Sequence, residues 1–289
     1  FMHPVKSRAA ILSAHKVYGV RYFVVDHVSE LEKIASIIPP GLDTVIVVRL
    51  EVHYDGAVYE LSSKFGAPLD ETVVLARDVL ERGYNYGLSF HVGSQCLDAG
   101  GFELGLDLVR QALAGIDSAP CCVDVGGGFP AHYVNSQGAA LETYFAAIKY
   151  GLASLSLPPD CQVMCEPGRG LCADGESLIT QVHLRKSDAL YLNDGMYGSF
   201  IEEKLGLQLP VRMVASRDFS VQQCEFTLYG PTCDSLDVFP MKITLPANVA
   251  EGDWIEFGCI GAYGAACRTR FNGFFADTFV AVENSFGQL

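Results

Sequence analysis

The sequence is short of positive charge: Lys and Arg number 20 against 34 Asp and Glu, for a net charge of -14. That deficit removes the basic footprint with which proteins neutralise nucleic-acid phosphates or an anionic membrane surface, and it suits a cationic small molecule. No apolar run approaches the roughly 18 residues of a membrane-spanning helix. The opening residues read as a short strand, with no secretory leader. The ten cysteines show neither C-x-x-C spacing nor a disulfide framework. Cys121, Cys122, Cys161 and Cys165 lie inside apolar runs, which implies buried free thiols in a reducing, cytoplasmic setting and no metal site. The chain also lacks G-x-G-x-x-G, a Walker lysine, internal repeats and low-complexity tracts, so neither a dinucleotide fold nor an NTPase loop is supported.

What is present is enough apolar content, 49% of 289 residues, for one large domain or two ordinary ones. To about residue 170, β-branched runs alternate with amphipathic stretches, the pattern of β/α units around a parallel sheet. Six strands are predicted: Phe1 to His3, Tyr22 to Val25, Val45 to Leu50, Tyr86 to His91, Cys122 to Val125 and Val163 to Glu166. Helices are predicted over Ser7 to Tyr18, Ser29 to Ile37, a segment capped by Asp70 and ending at Leu80, and Phe102 to Ala114. Beyond about residue 176 the pattern becomes strands joined by turns: Leu178 to Leu184, Ala189 to Leu192, Gln223 to Leu228, Trp254 to Phe257 and Thr278 to Val282. The reading is therefore an α/β domain over 1–176 followed by a mostly β domain over 177–289.

Polar and glycine-rich chemistry gathers just after several strands, where β/α folds place active groups. His91-Val92-Gly93-Ser94-Gln95 offers an imidazole, a permissive backbone and a hydroxyl; a histidine there serves packing as readily as chemistry. Gly126, Gly127 and Gly128 in DVGGGFP allow backbone N–H groups to close on an anion such as phosphate, or simply form a tight turn. Glu166-Pro167-Gly168-Arg169 presents a carboxylate suited to a protonated ring nitrogen and an arginine suited to phosphate, or a strand-end ion pair. In the second domain, YGPTCDSLD sets the Cys233 thiol, a possible proton donor, beside Asp234, which suits an ammonium group. Its bland alternative is a turn with solvated acids. Tyr263 in GAY, followed by FNGF, offers a phenol to a phosphate or to packing.

Taken in order, HVGSQ, DVGGGFP, EPGRG, YGPTCDSLD, GAY and FNGF resemble the ornithine and diaminopimelate decarboxylase family, nearest its ornithine decarboxylases, over essentially the whole chain. The resemblance implies a TIM-like β/α barrel binding pyridoxal 5'-phosphate, followed by a β-barrel domain, in a homodimer with shared active sites. It implies that His91 stacks on the cofactor ring and Ser94 lies near the phosphate. Gly126, Gly127, Gly128, Gly168, Arg169 and Tyr263 would hold that phosphate, and Glu166 would pair with the pyridine nitrogen. Cys233 would protonate the carbon left by CO2 in the other subunit's site, while Asp234 contacts the substrate's distal amine. Arg49 and Lys64 match positions of ion pairs near the site and the dimer interface. Cys-Asp-Ser favours ornithine (giving putrescine, a polyamine precursor) or lysine over diaminopimelate, which goes with Glu after the cysteine. Alternatives are lysine or diaminopimelate decarboxylation, or a catalytically inactive, antizyme-inhibitor-like binding protein, against which the retained Cys233 weighs.

The chain departs from the family pattern in two places. The cofactor lysine belongs to a Y-A-V-K-like strand upstream of the segment matched by Phe1 to Ser7. None of the eight lysines here has that context, Lys6 included. The expectation is a barrel incomplete at its N-terminus, with two of the family's eight units missing, and no independent catalysis by these residues alone. The second departure follows NDGMYGSF, where the family's second acidic contact to the substrate amine is matched only loosely by Glu202 or Glu203.

Overall fold

The computed structural model describes residues 1–41, 43–214, 217–283 and 286. The chain divides into two compact units: residues 1–129 with 139–167, and residues 130–138 with 168–289.

In the first unit, β/α alternation produces helices α1 (Arg8–Lys16), α2 (Val28–Ala35), α3 (Leu69–Glu81), α4 (Gly100–Ala114) and α5 (Leu141–Ala153). The strands are β1 (Tyr22–Val25), β2 (Val45–Leu50), β3 (Ala57–Tyr59), β4 (Asn85–Phe90), β5 (Ser94–Cys96), β6 (Cys122–Asp124) and β7 (Gln162–Met164). A five-stranded parallel sheet runs β1-β2-β4-β6-β7, and β3 and β5 form a separate hairpin. Strand periodicity sorts the side chains by face. Phe23, Val25, Ile46, Val48, Leu88 and Val123 pack outward into the helices, while Val24, Val47 and Cys122 form a smaller inner cluster. The inner face curls far enough for the Tyr22 hydroxyl on β1 to donate to Gln162 Oε1 on β7 at 2.6 Å.

Three expectations are corrected in this unit. Residues 1–3 form no strand, although Phe1 bonds through its amino group to Tyr22 O and through its carbonyl to Val24 N, alongside β1. Pro68, not Asp70, occupies the N-cap of α3. Asp70 and Glu71 instead place negative charge in the first turn, where the helix dipole favours it. Cys165 is exposed, because it lies beyond the end of β7.

The second unit holds the short α6 (Arg169–Cys172), then β8 (Leu178–Lys186), β9 (Ala189–Leu192), β10 (Val211–Met213), β11 (Gln223–Tyr229), β12 (Ile243–Pro246), β13 (Trp254–Phe257) and α7 (Gly264–Cys267). Its six-stranded mixed sheet has the order β10-β13-β8-β9-β11-β12, with β9 and β11 parallel and the other pairs antiparallel. Phe200, Phe226, Phe239, Phe257, Leu190 and Val182 fill its core. Residues 278–282 form no strand, and Phe279, Val280 and Val282 are exposed, with the Arg268 guanidinium 5.0 Å from the Phe279 ring. The fold is thus a TIM-like α/β unit followed by a β unit. No helix among the described residues is long and apolar enough to cross a membrane, and no group of three or more His, Cys, Asp or Glu among them suits a metal ion.

Candidate active site

The parallel register aligns polar side chains at the C-terminal ends of the first unit's strands. Arg49 on β2 pairs with Ser89 on β4, which pairs with Asp124 on β6, so the three share the inner face. Arg49 Nε and Ser89 Oγ are buried without a hydrogen-bond partner among the described residues. Desolvation lowers the Arg49 pKa, opposed by Glu166, Asp26 and Asp124. Burial raises Asp124, opposed by the Gly126 N–H that bonds its Oδ1 at 2.9 Å and by Arg49. Lys64 lies over the Phe65 ring at 5.0 Å, and the Arg49 guanidinium approaches the same ring at 5.7 Å.

One layer further along the strands sit the residues singled out by sequence. His91 follows β4 directly, and its Nδ1 accepts from Gly93 N at 3.2 Å, which leaves the neutral ring's proton on Nε2. Desolvation, reinforced by Arg49, lowers its pKa to about 4, so the imidazole is uncharged at neutral pH. Ser94 is buried on β5. After β6, Gly126 and Gly128 adopt φ of 68° and 106°, the left-handed region that side chains avoid. A Cβ on Gly126 would strike the Phe90 carbonyl; one on Gly127 would come 2.6 Å from Glu166 O and 2.8 Å from His91 Nε2. The glycines therefore bring loop backbone directly against both residues. Glu166 N donates to Gly126 O at 2.7 Å, locking the two strand-end loops together. Glu166 is exposed as a residue, yet partial desolvation of its carboxyl by the packed strand ends, and then Asp124, push its pKa up to about 7. Lys6 is committed elsewhere, to Glu30 at 3.1 Å and to the carbonyls of His3, Pro4 and Val24.

The second unit carries the remaining residues in two places. In the first, Gly168 precedes α6 and Arg169 begins it. The buried Arg169 donates from Nη1 to the Tyr133 hydroxyl at 2.8 Å and from Nη2 to Glu202 Oε2 at 2.6 Å, with the Tyr263 ring 5.0 Å away. In the second, Cys233 and Asp234 line a cleft of about 390 Å³ with Tyr191, Tyr229, Thr232 and Phe274. The Cys233 thiol is exposed and 3.6 Å from Asn272 Oδ1. Asp234 accepts from Leu236 N at 2.9 Å and from the Tyr197 hydroxyl at 2.5 Å, and these donors, the backbone one first, hold its pKa below the usual carboxylate value.

Sequence reasoning missed the residues that build these loops. The buried Asp237 accepts from Met196 N at 2.7 Å and from Thr232 N and Oγ1 at 3.0 and 2.7 Å, fixing the loop that carries Cys233. Asp194 does the same for residues 195–199, accepting from Gly195 N, Ser199 N and Ser199 Oγ. The Asp194-Gly195 step was the available signal for a side-chain-stabilised turn. Neither Glu202 nor Glu203 is turned toward solvent: Glu202 is taken by Arg169, and Glu203 is 1% exposed.

Residues 1–173 match the family described as pyridoxal-dependent decarboxylase, pyridoxal binding domain. The lysine/ornithine decarboxylase of Selenomonas ruminantium is 31% identical over 98% of this chain and 72% of its own length. Among solved structures, lysine/ornithine decarboxylase from Vibrio vulnificus, complexed with cadaverine, superposes with a TM-score of 0.82 at 31% identity, covering 98% of this chain and 75% of that one. The arginine decarboxylase of Paramecium bursaria Chlorella virus superposes with a TM-score of 0.83 at 26% identity, covering 96% and 75%.

Proposed function

The chain belongs to the pyridoxal-dependent decarboxylase family, and from that membership we propose that it serves the decarboxylation of a basic amino acid, with L-ornithine, giving putrescine, as preferred substrate. The observation that carries this reading is the convergence of His91, Gly126 to Gly128 and Glu166 at the C-terminal end of one parallel sheet. These residues fit pyridoxal 5'-phosphate. The loop backbone reaches the imidazole only because Gly127 has no Cβ, and Arg49 Nε is buried without a hydrogen-bond partner among the described residues.

In this reading the neutral His91 ring would stack on the cofactor, an apolar contact that a charged imidazolium would weaken. Glu166 would hold the pyridine nitrogen, and a carboxyl pushed up to about 7 is matched to sharing a proton with it. Ser94, Gly126, Gly127 and Gly128, with Gly168, Arg169 and Tyr263 assigned from the family motifs, take the phosphate. When bound, the cofactor withdraws electrons from the bond to the departing carboxylate. Cys233 supplies the proton to the carbon from which CO2 has left, and Asp234, kept ionised by its two donors, binds the distal ammonium. Both act in the site of a second copy of the chain, in a homodimer. None of the eight lysines has the family's context for covalent attachment of the cofactor, and Lys6 is held by Glu30 and backbone carbonyls, so turnover is measured on the chain joined to a family-type strand bearing that lysine.

The substrate order is tested by measuring kcat/KM for ornithine, lysine, arginine and diaminopimelate side by side. Ornithine is expected to lead. A lead for diaminopimelate would overturn the assignment of Asp234 to an ammonium group.

A further inference from the structure

Arg169 is the one buried cation among the described residues of the second unit, at 4% exposure. A guanidinium so enclosed needs a counter-charge, and the structure supplies one in Glu202, 2.6 Å from Nη2 and itself 15% exposed. The bond to the Tyr133 hydroxyl is neutral. On the reading that Arg169 takes the cofactor phosphate, a carboxylate thus already sits on the cation that the phosphate needs. Arginine has donors enough for both ligands. Two anions on one cation in a partly dehydrated place nevertheless repel each other, and Coulomb energy there is several-fold larger than in water.

We propose that Glu202 is a built-in competitor for the cofactor phosphate: its carboxylate positions and neutralises Arg169, and so weakens the hold of that guanidinium on phosphate. Glu202 touches no reacting atom, so it is a positioning residue whose effect falls on the affinity for phosphate. Tyr133 carries no charge to repel a phosphate. The consequence is a lowered affinity for the phosphorylated cofactor and easier exchange with the free pool. This inference rests on the assignment of Arg169 to phosphate, and the test separates the two.

Pyridoxal 5'-phosphate, pyridoxal and inorganic phosphate are titrated against the parent protein, Glu202→Gln, Glu202→Ala and Arg169→Ala, by absorbance for the first two and calorimetry for the third. Both Glu202 variants are expected to bind pyridoxal 5'-phosphate and inorganic phosphate about tenfold more tightly, with pyridoxal unchanged. The alanine variant repeats the charge removal should the glutamine variant misfold. If both Glu202 variants bind phosphate no better than the parent while Arg169→Ala binds it worse, the competitor role is wrong and the phosphate assignment stands. An equal gain for pyridoxal also sinks the competitor role, because the effect then does not involve phosphate. If Arg169→Ala changes nothing, or no form binds either phosphate ligand, both ideas fall.

Discussion

At the scale of single residues, burial pushes Glu203 and His91 toward the same neutral state from opposite sides of the pH scale. Burial raises the Glu203 pKa to about 7 from 4.5, and its Oε2 has no hydrogen-bond partner among the described residues. The folded chain thus binds this proton more tightly than the unfolded chain, so the stability it contributes is full below pH 4.5 and lost as pH rises through 7. Glu203→Gln should therefore be more stable than the parent at pH 8 by roughly 2–3 kcal/mol, and equal to it near pH 4.5. Urea denaturation at the two pH values measures this; an equal effect at both would mean that charge burial is not the cause. For His91 the sign reverses. Its folded pKa of about 4 lies below the usual 6.5, so its contribution is present above 6.5 and lost as pH falls through 4. His91, Gly126 to Gly128 and Glu166 were legible in the sequence because each follows a short, largely apolar run that reads as a strand. The roles of Asp237 and Glu202 were not, because their partners, Met196 N and Arg169, lie 41 and 33 residues away and only the fold brings them together.

Among secondary-structure elements, the parallel strands were readable because burial on both faces leaves near-continuous runs such as Val45–Leu50. Helix α5 was not. It carries Phe145 and Tyr150 on its solvent side, at 45% and 82% exposure, which blurs the 3.6-residue periodicity. Strands β10 and β12, of three and four residues, are too short for alternation to stand out. α4 and α5 meet through Phe102, whose ring centroid lies 4.8 Å from Phe129 and 5.9 Å from Tyr144. Phe102→Ala should cost about 3–5 kcal/mol in chemical denaturation, as a large cavity does. A loss under 1 kcal/mol would show that the two helices reseat around the gap. Gly126→Ala tests the adjoining loop. Its φ of 68° and its contact with the Phe90 carbonyl predict a tenfold or greater loss of affinity for pyridoxal 5'-phosphate, read by spectral titration. Unchanged affinity would place the cofactor elsewhere.

For the whole molecule, the proposed homodimer makes Cys233 and Glu166 members of different subunits' contributions to one site. Mixing inactive Cys233→Ala with inactive Glu166→Ala and allowing subunits to exchange should then restore about a quarter of parent activity, since half the dimers regain one intact site. No recovery would mean that each chain completes its own site. The β unit was legible as a class, through its turn-punctuated short strands. Its sheet order, with β9 and β11 parallel inside an otherwise antiparallel arrangement, was not, because pairing partners far apart in sequence leave no local mark. The most direct measurement of the central claim is the stoichiometry of ornithine turnover by the chain joined to a family-type strand bearing the cofactor lysine, with and without added pyridoxal 5'-phosphate, following CO2 and amine together. One CO2 for each putrescine, dependent on the cofactor and lost in Glu166→Ala, is the expected result. CO2 release that is independent of the cofactor, or no release from any basic amino acid, would contradict it.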